Sequence, residues 1–296
     1  MIQFNNSNSD ETVHPISAST GQKNTNTSAS AERIPSSFNG ISRDRSSTSR
    51  VFLEKRQKDK EFTHELIQQL LTRSTPLRSA YEKSLRCNEA LLKNGRWVTS
   101  YFFCKRRWCR VCSRKRIATV LRKYLPVLES WKTAQFVTLT LTTCTEEELP
   151  SRINEMKQAF ESIRDRWRKP ATQKLFPSPL VAVRSLEVNK IADRCHPHFH
   201  IILPNSLIAE KLVAEWLAYF GNKANEKGQA LTPVYNMEGL LKYIVKPLVD
   251  FKTSNLQGMD LAALDVIFQA LDSHHTVQAY GMSALKPTSR TNAIVA

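Results

Sequence analysis

The run Gln135-Phe136-Val137-Thr138-Leu139-Thr140-Leu141-Thr142 alternates apolar and hydroxyl side chains and is rich in β-branched residues. A period of two places one set of side chains on each face of a pleated strand, and no helix uses that period. Downstream, Thr145-Glu146-Glu147-Glu148 has capping-box spacing, and Ile153, Met156, Phe160, Ile163 and Trp167 repeat at helical intervals before Pro170. Leu180 to Val188 reads as a second strand and His196 to Leu203 as a third. Leu207, Ile208, Leu212, Val213, Trp216, Leu217 and Phe220 mark a second helix ending at Gly221, and Ala230 to Tyr235 a short fourth strand. Helical character resumes over 236–247, up to Pro247. The order β-α-β-β-α-β followed by a helix predicts an α+β domain over residues 133–250. Its expected core is a ferredoxin-like or RRM-like antiparallel sheet with helices on one face. The other face is expected to be open for a substrate.

Charge sets the class of partner. The net charge is +16 and the pI about 9.7, which points to a polyanion. Residues 51–132 hold 20 Lys/Arg against 7 Asp/Glu, whereas residues 1–50 hold 5 against 4 and the remainder 18 against 16. The excess is therefore local. Residues 1–50, rich in Ser, Asn and Thr with scarcely any hydrophobic periodicity, are expected to form a disordered tail. Residues 51–72 are expected to be helical through Phe62, Leu66 and Leu70. Leu261, Leu264, Ile267, Phe268 and Leu271 predict another helix in a C-terminal region over 251–296. No run of about 18 apolar residues and no signal-peptide pattern occur, so a cytoplasmic protein without a membrane span is expected.

Within the basic region Cys87, Cys104, Cys109 and Cys112 fall in 26 residues. Disulfides are rare in a cytoplasmic chain, and Cys109-x-x-Cys112 has zinc-knuckle spacing that Cys104 and Cys87 can complete as a tetrahedral thiolate site for structural Zn²⁺. A set of buried apolar cysteines is the bland alternative. The basic and aromatic residues between the ligands favour zinc, because a metal-pinned loop could present Lys105, Arg106, Arg107 and Arg110 to phosphates. Ser113 can cap a helix whose polar face adds Arg114, Lys115 and Arg116 to the same positive region. Cys144 and Cys195 stand apart and are left structural or unassigned.

His196-Pro197-His198-Phe199-His200 places three imidazoles on one face of the third strand, with Phe199, Ile201 and Leu203 on the other. Neutral imidazole is a common metal ligand. A hairpin register with Glu187 opposite His200 would put that carboxylate on the same face as a third ligand. As an isolated residue Glu187 is equally an exposed strand carboxylate. Two imidazoles and a carboxylate can hold Mg²⁺ or Mn²⁺ with positions open to a phosphate oxygen. Pro197 disturbs the strand start, so His196 is assigned to DNA contact or to orienting its neighbours. Tyr243 is the candidate nucleophile: on a helix it neighbours Lys246, while Glu238, Lys242 and Lys246 share another ridge. A tyrosine titrates near 10, and nearby ammonium groups and a metal would favour the phenolate. Alone, a helical tyrosine is more often a packing residue.

Phe136-Val137-Thr138-Leu139-Thr140-Leu141, Leu186-Glu187-Val188, His196-Pro197-His198-Phe199-His200 and Lys242-Tyr243-Ile244-Val245-Lys246, in that order, resemble the motifs of plasmid rolling-circle replication initiators of the HUH endonuclease superfamily. The upstream cysteines resemble the cysteine region of its single-tyrosine branch. The resemblance runs from about Cys87 to Lys246. It implies an HUH fold in which His198 and His200 bind the divalent ion and Tyr243 attacks single-stranded or hairpin origin DNA. A 5′-phosphotyrosyl link and a free 3′-hydroxyl would result, with rejoining at termination. It also implies a host helicase and DNA polymerase as partners. Related initiators often carry a Glu four residues before the tyrosine to activate water; here Gly239 stands there. Glu238, five residues before and roughly 100° further round the helix, is the remaining candidate. A relaxase or single-strand transposase of the same superfamily would share the metal and tyrosine but differ in substrate. A non-catalytic zinc-dependent DNA-binding regulator would account for the cysteine region alone.

Overall fold

The computed structural model describes residues 45–88, 90–93, 96–99, 102–169, 180–249 and 255–282, of which 45–53 and 90–99 are described in backbone only. The tail expected over 1–50 lies outside these up to residue 44, but helix α1 (Arg45–Leu71) already begins at Arg45. Helix α2 (Arg78–Leu85), a two-stranded ribbon of β1 (Ala90–Lys93) and β2 (Arg96–Thr99), and α3 (Arg110–Leu128) complete the basic region.

The alternating run forms β3 (Gln135–Thr140). After it the Thr145 N–H donates to Glu148 Oε2 at 2.9 Å and the Glu148 N–H to Thr145 Oγ1 at 3.3 Å, the reciprocal bonds of a capping box. Helix α4 (Leu149–Trp167) follows, then the hairpin β4 (Ala182–Ile191) and β5 (Arg194–Leu203). Asn205 caps α5 (Ser206–Phe220), which stops at Gly221 with φ +52°, a conformation glycine adopts without a Cβ penalty. Strand β6 (Ala230–Pro233), α6 (Met237–Ile244), α7 (Leu261–Asp272) and β7 (Val277–Tyr280) end the described chain.

The sheet order is β6-β3-β5-β4-β7 with every pairing antiparallel. Its first four strands have the ferredoxin-like order expected of β-α-β-β-α-β, and β7 adds an edge that local pattern had not marked. Val137 and Leu139 of β3, Leu186 and Val188 of β4, and Phe199, Ile201 and Leu203 of β5 point to one face. There they pack with Ile153, Met156, Phe160 and Ile163 of α4 and Leu212 and Trp216 of α5. Phe199 is the wedge that fixes β5, and replacing such a buried ring by alanine costs about 3–5 kcal/mol.

The opposite face was expected to be open. Part of it is covered: Val183 and Ile202 pack with Leu128, Leu241 and Ile244, so α3 and α6 lie over that end of the sheet. A second core joins Phe62, Leu66 and Leu70 of α1 and Tyr81 of α2 to Trp108, Cys109 and Cys112, and to Leu264 and Phe268 of α7. Cysteine region and sheet lie within one compact unit, residues 54–296. Among the described residues no helix is long and apolar enough to cross a membrane.

Candidate active site and cysteine cluster

On the partly covered face, β3, β5 and β4 run side by side, and their alternate residues Thr138, His200, His198 and Glu187 converge. The pairing sets Glu187 opposite His198 and Ser185 opposite His200, two residues from the expected register. The hairpin turns at Ala192-Asp193 with Ala192 at φ +52°, an unusual left-handed alanine that no Asn or Gly announced. Because side chains alternate with period two, a slip of two keeps Glu187 on the histidine face. Its Oε2 lies 3.1 Å from His200 Nε2 and 3.7 Å from His198 Nε2.

The tautomers follow from the outer partners. His198 Nδ1 is 3.1 Å from the His196 carbonyl, which only accepts, so Nδ1 carries the proton. His200 Nδ1 sits 3.1 Å from Thr138 Oγ1. The two Nε2 atoms face each other 3.1 Å apart, with the carboxylate oxygen beside them. A cation, or a proton shared with the carboxylate, offsets the repulsion between three such atoms. Their ligand atoms all lie within 4.8 Å of one another, so Glu187, His198 and His200 could hold a metal ion. Burial alone would raise the Glu187 carboxyl; the hydrogen bonds of His198 and His200 and the charge of Lys246 outweigh it and hold the group well below the usual carboxylate range. Burial pulls His200 below its ordinary value, with His198 and Lys246 adding to the effect against the Glu187 bond. Neutral imidazoles and an ionised carboxylate are the forms that ligate metal.

Tyr243, in the last turn of α6, reaches the same place. Its ring centroid is 5.5 Å from that of His200 and 6.4 Å from that of Phe136, and it remains 42% exposed. Lys246 was expected to share a helical ridge with Glu238 and Lys242, but α6 ends at Ile244. Released from the helix, its Nζ lies 3.8 Å from the Tyr243 ring centroid and 3.2 Å from Glu187 Oε1. Burial, with the Glu187 charge, pushes the Tyr243 hydroxyl above its ordinary value, so the phenol is protonated until ammonium groups and a bound cation favour its ionisation.

Glu238 and Lys242 pair with each other at 2.6 Å on the exposed side of α6. A Cβ at the preceding-turn position, Gly239, would meet the Asn236 side chain at 2.7 Å and require it to shift from its cap on the Gly239 N–H. His196 faces Asn189, with its ring centroid 5.6 Å from that of His198 and outside the metal-ligand set. Sequence reading missed two supports of the centre: Thr138, which orients His200, and Phe136, which stacks on it at 5.1 Å. Both lie on the β3 face opposite the core, and the alternation was the only signal for them.

The four cysteines come together as expected. Cys87, Cys104, Cys109 and Cys112 place their sulfurs within 4.8 Å of one another and could hold a metal ion. Cys109 is the N-cap of α3 and Cys112 stands in its first turn, where the helix dipole favours thiolate. The Cys104 N–H donates to Cys87 Sγ at 3.4 Å and the Lys105 N–H to Cys112 Sγ at 3.3 Å. Thiol hydrogen bonds, that of Cys109 foremost, hold Cys104 well below its usual value. Cys144 and Cys195 instead form a buried antiparallel bridge that extends the β3–β5 pairing.

The basic residues separate by partner. Arg110, expected to face phosphate, is a correction: it is 4% exposed, its guanidinium 3.3 Å from the Phe62 ring centroid, inside the second core. Arg106 pairs with Asp272 and Arg114 with Asp59. Lys115 lies over the Phe103 ring at 3.8 Å, and Lys105 is exposed. Arg107 and Arg116 line a cleft beside Glu187 and Lys246.

The part of the chain that carries the two histidines and Glu187 is similar to replication proteins. The model of the family described as Replication protein matches residues 96–211, from β2 through both histidines into α5. Over 109 residues the chain is 31% identical to the "Protein rep" of Bacillus amyloliquefaciens, a match covering 34% of this chain and 30% of that relative. The chain therefore spans less than a third of the length of the curated relative it matches. Cys87 and Tyr243 fall outside the matched family segment. No solved structure matches.

Proposed function

We propose that this protein initiates rolling-circle replication of a plasmid by nicking single-stranded origin DNA with Tyr243. The observation that carries the reading is the placement of the Tyr243 ring 5.5 Å from His200, at a buried trio whose ligand atoms lie within 4.8 Å of one another. Similarity to replication proteins over residues 96–211 supports the same reading. Glu187, His198 and His200 would hold a Mg²⁺ or Mn²⁺ ion, which when bound would supply positive charge for the phosphate oxygens.

The residues of the chain do the rest. Tyr243 Oη forms a bond to phosphorus as the P–O3′ bond breaks, and the phenolic proton is balanced by the proton gained on the departing 3′-oxygen. The products are a 5′-phosphotyrosyl link and a free 3′-hydroxyl that primes synthesis. Lys246, against the ring face, stabilises negative charge as it develops on the phenol. Glu187 fixes Lys246 there and stays ionised. Thr138 and the His196 carbonyl hold the two imidazoles in the ligating tautomer. The four cysteines would hold a structural Zn²⁺ and so pin the basic loop. Host helicase and polymerase take over the exposed 3′-end.

Purified protein is given a single-stranded oligonucleotide from the origin of its own replicon with Mn²⁺. A covalent adduct with wild type and none with Tyr243→Phe is expected. No adduct under any divalent ion would overturn the nicking reading, and an undiminished adduct in the variant would place the nucleophile elsewhere.

A further inference from the structure

Where the cysteine region meets the sheet edge, a cleft opens between Arg107 and Arg116 on one side and Ser185, Glu187, Lys246 and Thr276 on the other. Its charge is unbalanced. Glu187, the carboxylate on its wall, is already engaged by His198, His200 and Lys246. Asp272, close to Arg107, is bonded to Arg106. Arg116 spends one nitrogen on the Lys105 carbonyl at 2.8 Å, which aims its guanidinium but adds no negative charge. Arg107 Nη1 is buried with no hydrogen-bond partner. A buried guanidinium nitrogen left without an acceptor is costly, and two guanidiniums at one cleft repel. An anion with several acceptor oxygens would satisfy both forks at once, and phosphate is the group that Arg forks match in geometry.

The cleft also shares two residues with the nicking centre. Glu187 belongs to the metal-ligand trio and Lys246 lies against Tyr243. We infer that Arg107 and Arg116 bind a backbone phosphate of the single strand next to the one attacked, so that the cysteine region positions the substrate at the sheet. This inference rests on the nicking reading for the identity of the strand. The cluster's part is then to set the two arginines: Arg107 lies two residues before Cys109 and Arg116 four after Cys112. The roles of the basic residues divide accordingly, with Arg106 and Arg114 tying the region together and Arg107 and Arg116 serving the ligand.

The test uses the full chain carrying Tyr243→Phe, so that binding is read without adduct formation. The probe is a fluorescent single-stranded origin oligonucleotide in which one neutral methylphosphonate linkage is walked across the nick region. Anisotropy should show a loss of about tenfold at one or two linkages beside the nick, the size of one good charge-assisted contact. Adding Arg107→Gln or Arg116→Gln should weaken the all-phosphate strand similarly and erase the sensitivity at those linkages alone. Arg107→Lys should restore charge but only part of the selectivity, because an ammonium lacks the fork. An unchanged methylphosphonate profile in both Gln variants, or a uniform drop at every linkage, would overturn the inference. Should one Gln variant lose its melting transition, the other and Arg107→Lys decide the question. An adduct with wild type but an unaltered profile removes the cleft alone. An Arg107-dependent profile without any adduct keeps the cleft as a binding site and removes the nicking reading.

Discussion

The two polar clusters of this molecule are built on opposite principles. The cysteine cluster takes its sulfurs from the two ends of the β1–β2 ribbon and from the start of α3, spread over residues 87–112 and apart from the main sheet. The Glu187–His198–His200 trio sits on adjacent central strands whose other face is the main core. Four thiolates close a tetrahedral site, whereas two imidazoles and one carboxylate leave positions open to a substrate. Position in the fold thus separates a cluster that makes its own scaffold from one that borrows a scaffold and keeps ligand positions free.

The sharpest way to break the comparison is to remove the candidate ligands of each cluster in turn. Changing Cys109 and Cys112 to Ser should release about one zinc per chain and unfold the region around Trp108, because structural zinc supplies on the order of 10 kcal/mol to small sites. Circular dichroism and metal analysis would read this, and retained zinc with an intact melt would refute it. His200→Ala should leave the melting temperature within a few degrees yet lower nicking at least about a hundredfold, since a ligand is lost from an already rigid sheet. If His200→Ala unfolds the chain instead, the sheet site is structural and the contrast fails.

A finer break lies in the outer partners. Thr138→Val keeps shape but removes the hydroxyl 3.1 Å from His200 Nδ1, and should weaken divalent-ion affinity about 10–100-fold, measured by Mn²⁺ titration. Unchanged affinity would mean that His200 is oriented by Phe136 stacking alone.

How far the sequence reached differs between the clusters for the same reason. The strand face of His198 and His200 was legible because alternation survives any even slip, and Glu187 kept its face although the turn at Ala192 moved the register by two. The four cysteines were legible by spacing, which is a local property. Lys246 was misplaced because nothing in Lys242-Tyr243-Ile244-Val245-Lys246 shows that the helix ends at Ile244. Arg110 reads like its basic neighbours, and only the packing of α1 reveals that Phe62 buries it. The cleft of Arg107 and Arg116 depends on β7 and the segment after α6, contacts far apart in the chain that no periodicity encodes.

The smallest expected effect lies outside both clusters and serves as their control. Lys190, near the tip of the hairpin that carries the metal trio, bonds Glu146 at 2.8 Å and Asp260 at 2.9 Å, and so links β4 to the N-cap of α7. The Ala263 N–H bond first, then Lys190, hold the Asp260 carboxyl below its ordinary value. A depressed carboxyl contributes stability that is complete above its unfolded value of about 3.9 and is lost as pH falls through the folded one. Asp260 is partly exposed, so solvent screening limits the ion-pair share to under about 1 kcal/mol. Asp260→Asn retains a capping side chain but not the charge. It should flatten the fall in melting temperature below about pH 4 while leaving Mn²⁺ affinity at neutral pH unchanged. Altered Mn²⁺ affinity in this variant would show that the hairpin is held from its tip as well as from the core beneath it, and the trio would then owe less to the sheet than the comparison claims.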